Sequence, residues 1–361
     1  MLGRVSDYRL RLFLSVDLAG STAFKAGAGR GPADHASPHP LWIVATRKFY
    51  EVFPSVLEKH YHRRKSQKNF LSEVISAPQS WKTIGDEIIF CCRIINADHL
   101  HTCVLSFVDA LKEYGSILAA DRHQLDVKGT AWIAAFPAVN MTATRSRLKK
   151  FDYLQEDFES GADKHPNEFD FLGPEFDAGF RIAKHSSPDK CAISLQLAWL
   201  LTRNPGSHWH PKSFLYAGRD YLKGVISDQP YPVVCLITER NESRAELREK
   251  ESRITGRVDY SLYELHSFIS HFMESESLEF PALSETDHPP LSYRKFQDQA
   301  GIELKAIMEQ DIQLSESGDA KDSASDKTVM PTAITDAARV YRHTQADDSV
   351  RNDQESDNND I

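Results

Sequence analysis

The order of hydrophobic periods along the 361 residues predicts an α+β fold. Three observations carry it: a period-two strand signal near the start, two helical stretches of period 3.6, and two β-type runs meeting at Gly85-Asp86. Leu10, Leu12, Leu14 and Val16 alternate with other residues, so a strand is expected over 8–16, stopping at Asp17. The segment 27–40 is rich in Gly, Pro and Ala and reads as a loop. Trp42, Phe49, Phe53 and Val56 then recur at near-helical spacing, giving an amphipathic helix over 40–60 that covers the sheet.

The runs flanking Gly85-Asp86 fit a hairpin with Asp86 at its tip and Ile88, Phe90, Cys92 and Ile94 on one face. Cys103, Phe107 and Leu111 mark a second helix over 99–118, and 125–136 is a further strand. A polar loop is expected at 161–167. Next comes a helix opened by Gly173-Pro174, where proline fits the first turn because its missing N–H has no intrahelical partner there. A strand at 190–195, a helix at 196–203 and strands at 214–222 and 231–238 close the pattern. The order β-α-β-β-α-β, then α-β-α-β-β, is that of a ferredoxin-like core with an extension.

The first domain is expected to span 1–238. From Glu239 the composition turns charged, and 239–314 is expected to be a partly helical extension. Within it Leu262, Leu265, Phe268, Ile269 and Phe272 keep a helical period over 259–273, to dock on the core or on a second copy. From 315 to 361 the chain is rich in Asp, Ser, Asn and Thr and reads as a disordered acidic tail.

A net charge of −9 argues against a generally basic nucleic-acid binder. The basic run Lys59-His60-Tyr61-His62-Arg63-Arg64-Lys65 is read as a solvated helix end. Five cysteines without CxxC spacing point to a reducing cytoplasm and no structural zinc site. No apolar run approaches the roughly 18 residues that a membrane span needs. His208 and His210 are assigned no metal.

The chemistry is concentrated in two places. Ser15-Val16-Asp17-Leu18-Ala19-Gly20-Ser21-Thr22 ends an apolar strand on a carboxylate, and Trp81-Lys82-Thr83-Ile84-Gly85-Asp86-Glu87 delivers another at a turn. Two strand-end carboxylates suit a pair of divalent cations around a triphosphate. A turn through Ala19, Gly20, Ser21 and Thr22 would aim backbone N–H groups at its phosphates. Taken singly, each acid is more often a turn residue; together, in this order, they point to phosphoryl chemistry.

These motifs, with Asp170-Phe171-Leu172-Gly173-Pro174-Glu175-Phe176-Asp177-Ala178-Gly179-Phe180-Arg181, resemble the class III nucleotidyl cyclases over about 12–236. The resemblance implies two ions, Mn²⁺ or Mg²⁺, held by Asp17, Asp86 and the Leu18 carbonyl. It implies Arg181 as the transition-state arginine, and Asp177 where the family has a ribose-positioning asparagine. It further implies a homodimer whose active sites lie between chains. Lys82 and Asp170 fall at the base-reading positions, where donor and acceptor suit adenine, uracil or cytosine alike. Lys223 is the candidate triphosphate lysine, since Val225 occupies the usual second-lysine position.

The opening motif and the Gly-Asp-Glu hairpin are similar specifically to the pyrimidine cyclases of bacterial Pycsar anti-phage systems. That likeness implies cyclic UMP or cyclic CMP as product, a separate effector activated by it, and Tyr50 as the bulky residue narrowing the base pocket. A cyclic-AMP-forming enzyme and an inactive regulatory copy of the fold are the competing expectations.

Overall fold

The computed structural model describes residues 4–31, 39–66, 76–121, 124–144, 152–206, 208–226, 229–254, 260–284 and 286–318. The expected tail beyond 318 and the loop residues 32–38 lie outside them. By its contacts the chain divides into Met1–Met308 and Glu309–Ile361, and of the second only the end of one helix, reaching Gly318, is described.

Strand β1 (Arg9–Ala19) is followed by the short helix α1 (Ser21–Ala26), the long helix α2 (Leu41–Ser66), the hairpin β2 (Gln79–Ile84) and β3 (Glu87–Ile94), helix α3 (Ala97–Ala120) and strand β4 (Asp126–Phe136). A ribbon of β5 (Met141–Thr144) and β6 (Phe169–Leu172) encloses α4 (Glu156–Lys164) in sequence, and α5 (Pro174–Ile182) follows. Then come β7 (Lys190–Ile193), α6 (Leu195–Arg203), β8 (Phe214–Asp220) and β9 (Tyr231–Ile237). Helices α7 (Glu242–Ile254), α8 (Leu262–Ser275) and α9 (Leu291–Gly318) complete the described chain.

The main sheet runs β2-β3-β1-β4-β7-β9-β8. Its first four strands are antiparallel and have the ferredoxin-like order expected, while β4 and β7 pair in parallel. Even-numbered residues of β1, Leu10 to Val16, enter the larger core with Phe49 and Phe53 of α2 and Phe107 and Leu111 of α3. Each such fully buried side chain contributes about 1.5–3 kcal/mol. The opposite face buries an aromatic cluster of Phe13, Trp81, Trp132, Phe171 and Phe176, with Phe13 stacked on Trp132 at 5.5 Å.

Three expectations change. Strand β1 does not stop at Asp17 but runs to Ala19, because β4 offers ladder partners as far as Asp126. The expected polar loop at 161–167 is mostly helical: Gly161 lies inside α4, and a 3₁₀ turn spans Pro166–Glu168. Glu156, Glu159 and Asp163 recur at helical spacing to meet two arginines buried in β1. Arg9 Nη1 lies 2.6 Å from Asp163, and Arg11 lies 2.7 Å from Glu159 and from Asp163. Arg9 also pairs with Glu156. These groups are expensive to bury alone and are kept together by one another. The basic run at the end of α2 is not simply solvated either. Lys59 lies 2.7 Å from Glu113, and Arg64 bonds Asp109, tying α2 to α3. Of the two docking places expected for α8, it takes the main core, through Leu262, Leu265, Ile269, Phe272 and Met273. A Ser261–Glu264 capping box starts it.

Helix α5 is seated by a polar latch. The Asn140 side-chain carbonyl accepts from the backbone N–H of Glu175 at 3.2 Å and of Phe176 at 3.3 Å. The Glu175 carboxyl accepts from the Ala135 N–H at 2.7 Å and the Asn140 amide at 2.8 Å. Helix and sheet approach closely at Gly179, where a Cβ would stand 2.2 Å from the Trp132 ring.

Burial raises the Glu175 carboxyl from 4.5 to about 7. Between those values the folded chain holds a proton that the unfolded chain has released, so stability falls as pH rises through the window and levels off above it. Glu175→Gln is therefore expected to melt higher than the parent at pH 8, by an amount on the order of 1–3 kcal/mol, and to show no such gain at pH 4. Melting curves at the two pH values check this, and a gain of equal size at both would overturn it.

Candidate active site

At one end of β1 the ladder places Asp17 between Glu87 of β3 and Lys128 of β4. Odd-numbered residues of β1 face the α5 side, so the Asp17 carboxylate emerges there, and Lys128 Nζ lies 2.9 Å from it. Asp86 is delivered by the hairpin turn. Gly85 adopts a left-handed φ of +64°, a backbone state that glycine takes without steric cost. The turn is held from two sides. The Leu18 N–H donates to the Asp86 carbonyl at 3.1 Å, and the Tyr50 hydroxyl donates to the Gly85 carbonyl. The Asp86 side chain accepts from the Ser21 hydroxyl and has Lys25 Nζ 3.6 Å away.

Both aspartates line one cleft of about 260 Å³ with Ser15, Ile84, Glu87, Lys128, Thr130, Ala183 and Lys184. It therefore contains three carboxylates and two lysines. Glu87 has its pKa raised, chiefly by burial, against the Ser15 hydroxyl that donates to it and with the negative charges of Asp17 and Asp86 adding to the rise. Lys184 also holds Asp220 at 2.7 Å and the Tyr221 carbonyl at 3.3 Å, so the β8 end is tied to the cleft rim.

The other expected residues sit as follows. Leu18 is buried in the ladder, and Ala19, Gly20, Ser21 and Thr22 form the passage from β1 into α1. Lys82 and Asp170 are brought together as an ion pair, with Lys82 Nζ 4.7 Å from the Trp81 ring centre. Asp177 and Arg181 are exposed on α5 and are not among the residues lining the cleft. Lys223 is exposed in the turn after β8 and is likewise outside that lining. Tyr50 braces the Asp86 turn by its hydroxyl.

Sequence reasoning missed Glu87, Lys128 and Lys184 as cleft residues. Lys128 is legible only once β1 and β4 are in register, because nothing local distinguishes it from any strand lysine. Glu87 follows Asp86 directly and was available from the hairpin pattern. Lys184 lies beyond α5, where no period reaches.

No protein-family model and no curated protein matches the sequence. Among solved structures the chain is similar to the adenylyl cyclase CyaB from P. aeruginosa, at 10% identity and a TM-score of 0.41, over 65% of this chain and 97% of that one. It is similar to the guanylyl cyclase Cya2 at 13% identity and a TM-score of 0.39, over 65% and 93%. It is also similar to the guanylate cyclase domain of RhGC from Catenaria anguillulae, solved with GTP, at 11% identity and a TM-score of 0.39, over 65% and 100%. Among the described residues no helix is long and apolar enough to cross a membrane.

Proposed function

We propose that this protein is a nucleotidyl cyclase converting a pyrimidine nucleoside triphosphate, UTP before CTP, to its 3′,5′-cyclic monophosphate and diphosphate. The observation that supports it most is the convergence of Asp17 and Asp86 on one cleft, from a strand and from the adjoining turn. Asp17, Asp86 and Glu87 are hard oxygen donors of the kind Mg²⁺ and Mn²⁺ take, and the lysines beside the aspartates occupy positions where positive charge is favoured. Asp17, Asp86 and the Leu18 carbonyl would hold the ions. When bound, they would lower the pKa of the ribose 3′-hydroxyl and offset charge on the triphosphate.

The chain's own residues have separate tasks in this reading. Ser21, the turn residues Ala19, Gly20 and Thr22, and Lys25, Lys128 and Lys184 attract the phosphate oxygens, with Lys223 available from the neighbouring turn. The 3′-hydroxyl gives up its proton to solvent, its oxygen bonds to the α-phosphorus, and the bond from that phosphorus to the leaving diphosphate breaks. Arg181 acts on the charge growing at that phosphoryl group, a positioned donor where charge develops. Asp177 accepts from a ribose hydroxyl. Lys82 and Asp170 present a donor and an acceptor to the base edge, and Tyr50 limits the room left for it. Because Asp177 and Arg181 stand outside the acid cleft of their own chain, they are assigned to the cleft of a second copy. The product is assigned to a cyclic-nucleotide-activated effector in anti-phage defence.

The Lys82–Asp170 pair also complements adenine, which makes ATP the second substrate reading. Incubation of the purified protein with each of the four ribonucleoside triphosphates and Mn²⁺, with products identified by mass spectrometry, decides between them. Cyclic UMP is expected to dominate. Exclusive cyclic AMP would reject the pyrimidine assignment, and no cyclic product from any of the four would reject the enzyme.

A further inference from the structure

On the other face of the sheet from the acid cleft, the fold assembles Cys92 of β3 with His99 and Cys103 of α3. His99 and Cys103 are four residues apart and share one side of the helix. All three are buried, and one ligand atom of each lies within 4.8 Å of the other two. The two sulfurs are 3.9 Å apart. That is too far for a disulfide. It is close to the roughly 3.8 Å separating two sulfurs bound at about 2.3 Å to one tetrahedral zinc.

The histidine supplies an independent observation. Its Nε2 lies 3.1 Å from the Ser76 carbonyl oxygen, so Nε2 carries the proton and donates it. Nδ1 then keeps its lone pair, and among the described residues this buried nitrogen has no hydrogen-bond partner. A buried acceptor left without a partner is destabilising. A ring whose second nitrogen is fixed on a backbone carbonyl is also the usual setting of a metal-bound histidine.

We propose that Cys92, His99 and Cys103 bind one Zn²⁺, which fastens β3 to α3. The thiols each release a proton to solvent, and two thiolates, a neutral imidazole and a divalent ion sum to zero charge. A neutral complex avoids the cost of burying a net charge. A monovalent soft ion on the same ligands would leave one negative charge in the core. Thiolate donors exclude Mg²⁺ and Mn²⁺ as the preferred occupants, which separates this site from the acid cleft. The three residues supply three of zinc's four positions. Their spacing, Cys-x₆-His-x₃-Cys, lacks the CxxC pattern, and on that absence the sequence predicts no zinc site; only the packing of α3 on β3 closes the set.

The test uses the full chain, expressed with zinc and purified under reducing conditions without chelator. Elemental analysis is expected to find about one zinc per chain in the parent and in a Cys191→Ala control, and loss of zinc from Cys92→Ala and Cys103→Ala. A second measurement does not depend on those variants folding. Metal-free parent protein, verified as folded by circular dichroism, is titrated with Co²⁺ and should develop a sulfur-to-cobalt charge-transfer band that Zn²⁺ abolishes. Hard-donor carboxylates in the acid cleft cannot produce that band. A parent chain with neither zinc nor a thiolate–cobalt band overturns the proposal, as do variants that fold and retain the parent's zinc content. Either result leaves the cyclase reading untouched.

Discussion

Asp17→Asn and Asp86→Asn are each expected to lower cyclic-nucleotide formation on the order of a thousand-fold or more, with melting temperature nearly unchanged. The separation of the two effects follows from where the acids sit. Asp17 is half-buried at the end of a ladder whose backbone pairing with Glu87 and Lys128 is independent of its side chain. Folding loses only the contact with Lys128, a partly exposed pair of the kind worth about 0–1 kcal/mol. Asp86→Asn loses the charge that draws Lys25, 3.6 Å away, while its oxygen can still accept from Ser21 and the turn itself stays held by Leu18 and Tyr50 through backbone carbonyls. Asparagine keeps the shape and an acceptor oxygen but removes the negative charge that a divalent ion needs. Initial rates at saturating triphosphate and Mn²⁺, measured beside thermal melts, check this. Retention of more than about a tenth of parental activity by either variant would exclude these acids as the metal-holding pair.

Those two residues were legible early because their signals are local. A period-two run ending on an acid, and a Gly-Asp between two β runs, need no knowledge of the rest of the chain. The same holds for α5, announced by Gly173-Pro174, and for α8, announced by its apolar period. What stayed hidden depends on partners distant in sequence. Helix α4 carries few apolar residues, and its order comes from acids meeting Arg9 and Arg11 about 150 positions away. The β5–β6 ribbon consists of two four-residue strands separated by that helix, too short for a period to emerge. Lys128 becomes a cleft residue only through strand register. Lys82 and Asp170, expected from sequence to share one task, are brought by the fold into direct contact as an ion pair.

Mixing two inactive variants should restore activity if each active site is built from two chains. Asp17→Asn removes the acid side of a composite site, and Arg181→Ala removes the side contributed by α5. Either homodimer is then dead at both of its sites. In a mixed dimer, one site combines both defects and the other has neither, because the intact acids of one chain face the intact arginine of its partner. Random reassociation of equal amounts gives about half mixed dimers, each with one working site of two, so about a quarter of parental activity is expected. The geometry motivates the pairing of defects. Asp17 opens into the cleft, whereas Arg181 is exposed on α5 and is not among the residues lining that cleft. The experiment is a 1:1 mixture refolded together or co-expressed, assayed against each variant alone at the same total concentration. Recovery should fall on dilution as dimers dissociate. If the mixture remains as inactive as its components while size-exclusion chromatography shows mixed dimers, Arg181 acts within its own chain or not at all, and the two-chain site is wrong.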